Sequence, residues 1–128
     1  MRGDRAGAPP LLTLDSGPVS GVTASMFLGA AMGEKNVITT DMGGTSFDVS
    51  IIYDGKPAYS FVSNTDQYEY FLPKVDLQAI GAGGGSLVRA NPETRTLTVG
   101  PDSAGAFPGP VCYGRGGKVP TVTDAQLV

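Results

Sequence analysis

The stretch "ITTDMGGTSFDVSII", residues 38–52, decides how the rest of the chain is read. Strand-forming residues lie on both sides of it, so Val37–Asp41 and Phe47–Tyr53 are predicted strands. Between them stand an aspartate, two glycines and two hydroxyl residues. A tight hairpin would need only the glycines in its turn. A phosphate cradle would use more. It needs several N–H donors converging on one point, which Gly43 and Gly44 permit because no Cβ stands in the way. Thr45 and Ser46 would add hydroxyl donors. A carboxylate at a strand end, Asp41, can hold a hydrated Mg²⁺ or orient a water that attacks phosphorus. Taken alone, the stretch leaves both readings open.

Working outward, Asp54-Gly55 between apolar runs predicts a second hairpin, with Pro57–Val62 as a third strand of an antiparallel meander. Asn64–Tyr70 reads as an exposed loop whose tyrosines pack at a rim. Upstream, Gly7, Pro9 and Pro10 predict a loop and Leu11–Leu14 a short strand. Ser16-Gly17-Pro18 then carries helix-start signals, with Ser16 as N-cap. Val19, Val22, Met26, Phe27 and Ala30 share a broad face and Gly33 is placed to stop the helix, so residues 19–32 are expected to form a mostly buried helix. Downstream, Val75–Ile80 is a predicted strand leading into Gly81–Ser86. Leu87–Ala90 and Thr96–Val99 form a hairpin around Asn91-Pro92-Glu93-Thr94. Residues 100–120 are too rich in Gly and Pro to stay regular. Residues 121–128 begin a helix, capped by Thr123 or Asp124. The class is α/β, or α+β at this length.

Composition narrows the chemistry. A chain of 128 residues fits one modest domain, and its 19 glycines are roughly twice the usual share of about 7%. A net charge of −3 gives no footprint for nucleic acid. No apolar run approaches the ~18 residues that would span a bilayer, and Arg2-Gly3-Asp4-Arg5 is no signal-peptide core, so no membrane role and a cytoplasmic location are expected. Cys112 is the one cysteine, and histidine is absent. Ser-His and Cys-His catalysis within the chain is thereby excluded, as is a multi-cysteine metal site. Chemistry falls to carboxylates, hydroxyls and backbone amides.

Five ordered segments, "SGPVSGVTAS" at 16–25, "DMGGTSFDVS" at 41–50, "IGAGGGSLV" at 80–88, "VGPDSAGAFPGPVCYGRGG" at 99–117 and "PTVTDAQLV" at 120–128, closely resemble the hydantoinase A/oxoprolinase family. The resemblance is weakest before Leu14 and across Asn64–Tyr70. That family is similar to the actin, hexokinase and heat-shock-chaperone ATPases, in which two related domains clasp ATP. It implies that residues 1–128 are part of the second such domain, with its phosphate loop at Asp41–Asp48. ATP and Mg²⁺, or another divalent cation, are the implied cofactors. The family's members phosphorylate a substrate oxygen of a cyclic amide (5-oxoproline or hydantoin) or serve as ketone carboxylases. A non-catalytic nucleotide-binding module and an actin-like kinase are the other classes, the latter disfavoured by "SAGAFPGPVCYGRGG".

The resemblance carries over to residues as follows. Asp41 acts on metal-bound water and Asp48 is a second carboxylate near the metal. Gly43, Gly44, Thr45 and Ser46 supply phosphate donors, and Phe47 stands where many relatives carry Thr. Gly83, Gly84 and Gly85 with Ser86 suggest close backbone approach to nucleotide or substrate, against a bulged turn. Arg115 could hold a substrate carboxylate or be a solvated loop residue, and Asp124 could serve the site or simply cap a helix. Cys112 reads as a buried thiol rather than a nucleophile, with only Arg115 nearby to lower its pKa. Implied partners are the rest of the ATPase subunit and a hydantoinase B-type subunit or domain, and the chain alone is expected to be inactive.

Overall fold

The computed structural model describes Thr13, residues 15–65 and residues 67–128. The strand expected over Leu11–Leu14 lies outside them, apart from Thr13. Helices and antiparallel strands are mixed, in two compact units: residues up to 39 with 50–77, and residues 40–49 with 78–128. No helix among the described residues is long and apolar enough to cross a membrane.

In the first unit, helix α1 runs over Ser16–Met32. Asp15 rather than Ser16 occupies the N-cap, in a left-handed conformation and without a side-chain cap bond. Its carboxylate is turned instead to Lys74, 2.9 Å from Nζ. Gly33 ends the helix at φ 77°, where only glycine sits without strain, and its N–H returns to the last turn. Ser20, Thr23 and Ser25 bond back to carbonyls three or four residues earlier, so their hydroxyls ask nothing of neighbours.

The helix is not buried as expected. Val22 and Gly29 are covered, but Phe27 is 81% and Met32 67% exposed. Its apolar side chains are spread around the axis, so a single layer of strands covers only one stripe. Met26, Phe27, Val37 and Ile52 line an apolar groove of about 560 Å³ within this unit.

Strands β1 (Val37–Met42) and β2 (Phe47–Tyr53) pair, and each contributes residues to both units. The Asp54-Gly55 hairpin forms as predicted, with both turn residues at positive φ and Tyr53 facing Lys56 of β3 (Lys56–Pro57). Ile52, 2% exposed, anchors the small core. The predicted third strand is interrupted at Ala58, whose N–H reaches Ile51. Its remainder is β4 (Tyr59–Ser60), which pairs with β7 (Lys74–Val75). Asn64–Tyr70 is not a plain loop: β5 (Ser63–Thr65) and β6 (Tyr68–Tyr70) pair across it.

In the second unit, residues 47–49 of β2 pair antiparallel with β8 (Gln78–Ile80). The predicted strand over 75–80 is thus divided between β7 and β8. The next predicted hairpin is present as β9 (Ser86–Asn91) and β10 (Thr96–Ser103). Asn91 starts its turn by accepting N–H bonds from Glu93 and Thr94. After Ser103 the chain is irregular except for a 3₁₀ turn at Val111–Tyr113 and a short helix α2 (Val122–Ala125). Thr121 forms a bridge with Leu87.

Candidate functional site

The Gly43–Ser46 turn joins β1 to β2, and its geometry is not that of a glycine-dependent hairpin turn. Neither Gly43 nor Gly44 has a positive φ. A Cβ on Gly44 would meet no atom within 4 Å, and one on Gly43 only the Ser46 carbonyl at an ordinary 3.6 Å. Neither backbone torsion nor packing therefore requires these two glycines. The turn is closed by the Gly43 N–H on the Ser46 carbonyl at 2.9 Å. Among the described residues, the N–H groups of Gly44, Thr45 and Ser46 have no partner.

Beside the turn lies the second glycine run, and here packing is tight. The N–H groups of Gly83, Gly84 and Gly85 donate to the carbonyls of Thr45, Gly43 and Gly44 at 3.4, 2.9 and 2.6 Å. Added Cβ atoms would sit 2.6 Å from Ser46 N at Gly83, 2.9 Å from Thr123 Oγ1 at Gly84 and 2.8 Å from the Gly44 carbonyl at Gly85. The close backbone approach read from the triple glycine is thus made to the first loop. These donors are spent on holding it, with its carbonyls turned to Gly83–Gly85 and its free amides left over. Fully buried Ser86 adds a bond from Oγ to the Thr45 carbonyl at 3.3 Å.

An open cleft of about 630 Å³ lies against this pair of loops, and every residue lining it belongs to the second unit. Met42–Thr45 and Gly84–Gly85 form one part of the lining. Ser103, Gly105 and Ala106, then Pro110, Tyr113, Thr123 and Gln126, form the rest. Ser103 is fixed by donating to the Gly85 carbonyl and accepting from the Gly105 N–H.

Asp41 is the penultimate residue of β1 and lies outside this lining, exposed and with no hydrogen-bond or ion-pair partner for its side chain among the described residues. Asp48 accepts from Ser46 Oγ at 3.2 Å. No cluster of three or more metal-ligating side chains occurs among the described residues. Mg²⁺ in general needs no such cluster, since it keeps several waters and takes one or two carboxylates alongside substrate phosphates. Arg115 is exposed, its guanidinium 5.7 Å from the centre of the Tyr113 ring.

Cys112 is exposed, not the buried thiol expected from the sequence. Interaction with the Asp124 carboxylate raises the thiol's pKa and so opposes thiolate formation. For Asp124, partial desolvation pushes the pKa up. That effect is outweighed by hydrogen bonds from the Cys112 and Thr121 backbone N–H groups and the Thr121 hydroxyl, which hold the carboxyl well below the usual aspartate range. Thr121, not Thr123 or Asp124, is the N-cap of α2. It forms a capping box with Asp124 three residues on, a spacing already present in Thr121-Val122-Thr123-Asp124. Tyr113, Ser103 and Gln126 carried no sequence signal, since only the folded loop brings them to the cleft.

Residues 1–128 match the hydantoinase/oxoprolinase family. The chain is 46% identical over 114 residues to the caprolactamase subunit alpha of Pseudomonas jessenii, a match spanning 89% of this chain and 16% of that subunit. The crystal structure of ATP-dependent caprolactamase from the same organism superposes with a TM-score of 0.76 at 47% identity, over 88% of this chain and 16% of that one. The nucleotide-free structure of acetone carboxylase, from work on ATP-dependent acetone carboxylation, gives 0.73 at 38% identity, over 90% and 16%. The chain therefore spans about a sixth of the length of these relatives.

Proposed function

The chain belongs to the hydantoinase/oxoprolinase family, and from that premise we propose that it supplies the phosphate-binding part of a cytoplasmic ATP-dependent enzyme acting on a cyclic amide. In this reading residues 1–128 are part of an actin-like ATPase domain within a longer protein. Gly44, Thr45 and Ser46 offer backbone N–H donors to a nucleotide phosphate. Asp41 would hold a hydrated Mg²⁺, and Asp48 accepts from the Ser46 hydroxyl. ATP, when bound, would supply the phosphoryl group that activates an unreactive substrate oxygen.

One observation carries the reading. Two adjacent glycines that the fold does not need border a cleft and three unpaired amides. A phosphate supplies the missing reason, because a side chain there would take up its space. The ATP-dependence of caprolactamase and of acetone carboxylation supports the same view. Similarity to acetone carboxylase also supports a second reading, in which the acceptor is a ketone-derived oxygen and the reaction is a carboxylation. Either enzyme would work with a further subunit or domain of the hydantoinase B type.

The test is ATP titration of the full-length protein with amide hydrogen exchange as readout. Binding should slow exchange at Gly44, Thr45 and Ser46. Uniform exchange with and without saturating Mg²⁺-ATP refutes the reading. Ring opening of lactams or hydantoins, compared with bicarbonate fixation on ketones, separates the two branches.

A further inference from the structure

Asp124 is not among the residues that line the cleft, and its carboxylate is more heavily bonded than a capping box requires. Its Oδ2 accepts from the Val111 N–H at 3.1 Å, the Thr121 N–H at 2.8 Å and Thr121 Oγ1 at 2.9 Å. Oδ1 accepts from the Cys112 N–H at 2.8 Å. Three donors thus converge on Oδ2 and one on Oδ1, so most of the carboxylate's roughly four lone-pair sites are filled by protein donors.

We propose that Asp124 is a positioning residue, one that locks the Pro110–Tyr113 wall of the cleft to α2 and, through α2, to the loop that carries Gly44. This rests on the nucleotide reading given above. The connection is continuous in hydrogen bonds. Asp124 fixes Thr121 and with it the start of α2. On that helix, both the N–H and the hydroxyl of Thr123 reach the Gly84 carbonyl at 2.9 Å. The Gly84 N–H then holds the Gly43 carbonyl at 2.9 Å. In the other direction, the carboxylate takes two N–H groups at the start of the 3₁₀ turn, whose Tyr113 lines the cleft. Fully buried Thr121, bridged to Leu87, and the bond from the Val88 N–H to the Pro120 carbonyl anchor the junction to β9. One side chain thus joins the 3₁₀ turn and α2, the two short regular pieces of an otherwise irregular stretch, and a charged acceptor suits that task because it binds N–H groups more strongly than a neutral one.

The experiment uses the full-length protein, its Asp124→Asn variant and its Asp124→Glu variant. Asparagine keeps one acceptor oxygen and introduces a donor facing N–H groups, so it leaves some of them unpaired. Asp124→Asn should raise amide exchange at Val111 and Cys112 by about tenfold and weaken ATP binding by about tenfold, measured well below the unfolding midpoint. Asp124→Glu, with the charge but a longer reach, should recover part of both effects, and it carries the same readouts if the asparagine variant does not fold. Unchanged exchange at 111–112 overturns the proposal. So does raised exchange with unaltered ATP affinity, the pattern of a purely structural cap. If ATP fails to slow exchange at Gly44–Ser46 in the unaltered protein, the nucleotide reading falls first, and that result is in hand before any variant is compared.

Discussion

Replacing Gly44 by alanine separates a phosphate cradle from a turn, because the structure predicts opposite outcomes for stability and binding. A methyl group there meets no protein atom within 4 Å, and the residue does not occupy the left-handed region. The folded state therefore pays no strain. Alanine also restricts the unfolded chain, so stability should stay level or rise by about 0.4–1 kcal/mol. Binding should move the other way. A charge-assisted hydrogen bond to phosphate contributes about 1.5–3 kcal/mol. Displacing the anion from one of the three free amides would thus raise the ATP Kd by roughly 10- to 150-fold. Thermal unfolding and ATP titration on the same sample of full-length protein read both quantities. A variant as stable as its parent that binds ATP equally well refutes the cradle. A destabilised variant with normal affinity per folded molecule would restore the simple hairpin.

The same substitution at Gly83 should behave in reverse. Its methyl would lie 2.6 Å from backbone atoms of Thr45 and Ser46, so Gly83→Ala should cost about 1–3 kcal/mol in denaturant unfolding, and no measurable loss would mean the two loops are not packed as described. Asp41→Ala, at an exposed carboxylate without protein partners, should leave the unfolding midpoint unchanged and abolish ATP turnover; full turnover would remove Asp41 from the site. Acid unfolding tests Asp124. Because its folded pKa is depressed, its contribution is present above the unfolded aspartate value near 4 and is lost as pH falls below that. Stability against urea, followed downward from about pH 4, should decline less steeply in Asp124→Asn than in the parent, and equal slopes would contradict the depressed pKa.

The strand pair around residues 38–52, the Asp54-Gly55 and Asn91–Thr96 turns and the Gly33 helix stop were legible in the sequence, because each rests on local backbone chemistry. Asp-Gly takes two positive φ angles at little cost, and Gly33 takes one. The burial of α1 was not legible in this way. Apolar content raises an expectation of cover, but whether cover exists depends on what packs against each side, and among the described residues only one stripe is met. The division of residues 75–80 between two strand pairs was equally hidden, since pairing is decided by distant partners.

The site divides along the same line. The sequence alone determined that phosphate chemistry, if present, would centre on Gly43, Gly44 and Thr45, for there glycines and hydroxyls stand beside a carboxylate, though the same letters also suit a plain hairpin. It could not tell the two glycine runs apart. Only the tertiary structure decided that Gly83–Gly85 give their amides to the loop carbonyls while Gly44–Ser46 keep theirs, because a hydrogen bond between segments about forty residues apart leaves no mark in either. Asp124 was likewise ambiguous as a string of letters. Its role follows from four donors that reach it from positions 111, 112 and 121, and a carboxylate's function is set by which donors fill its lone pairs.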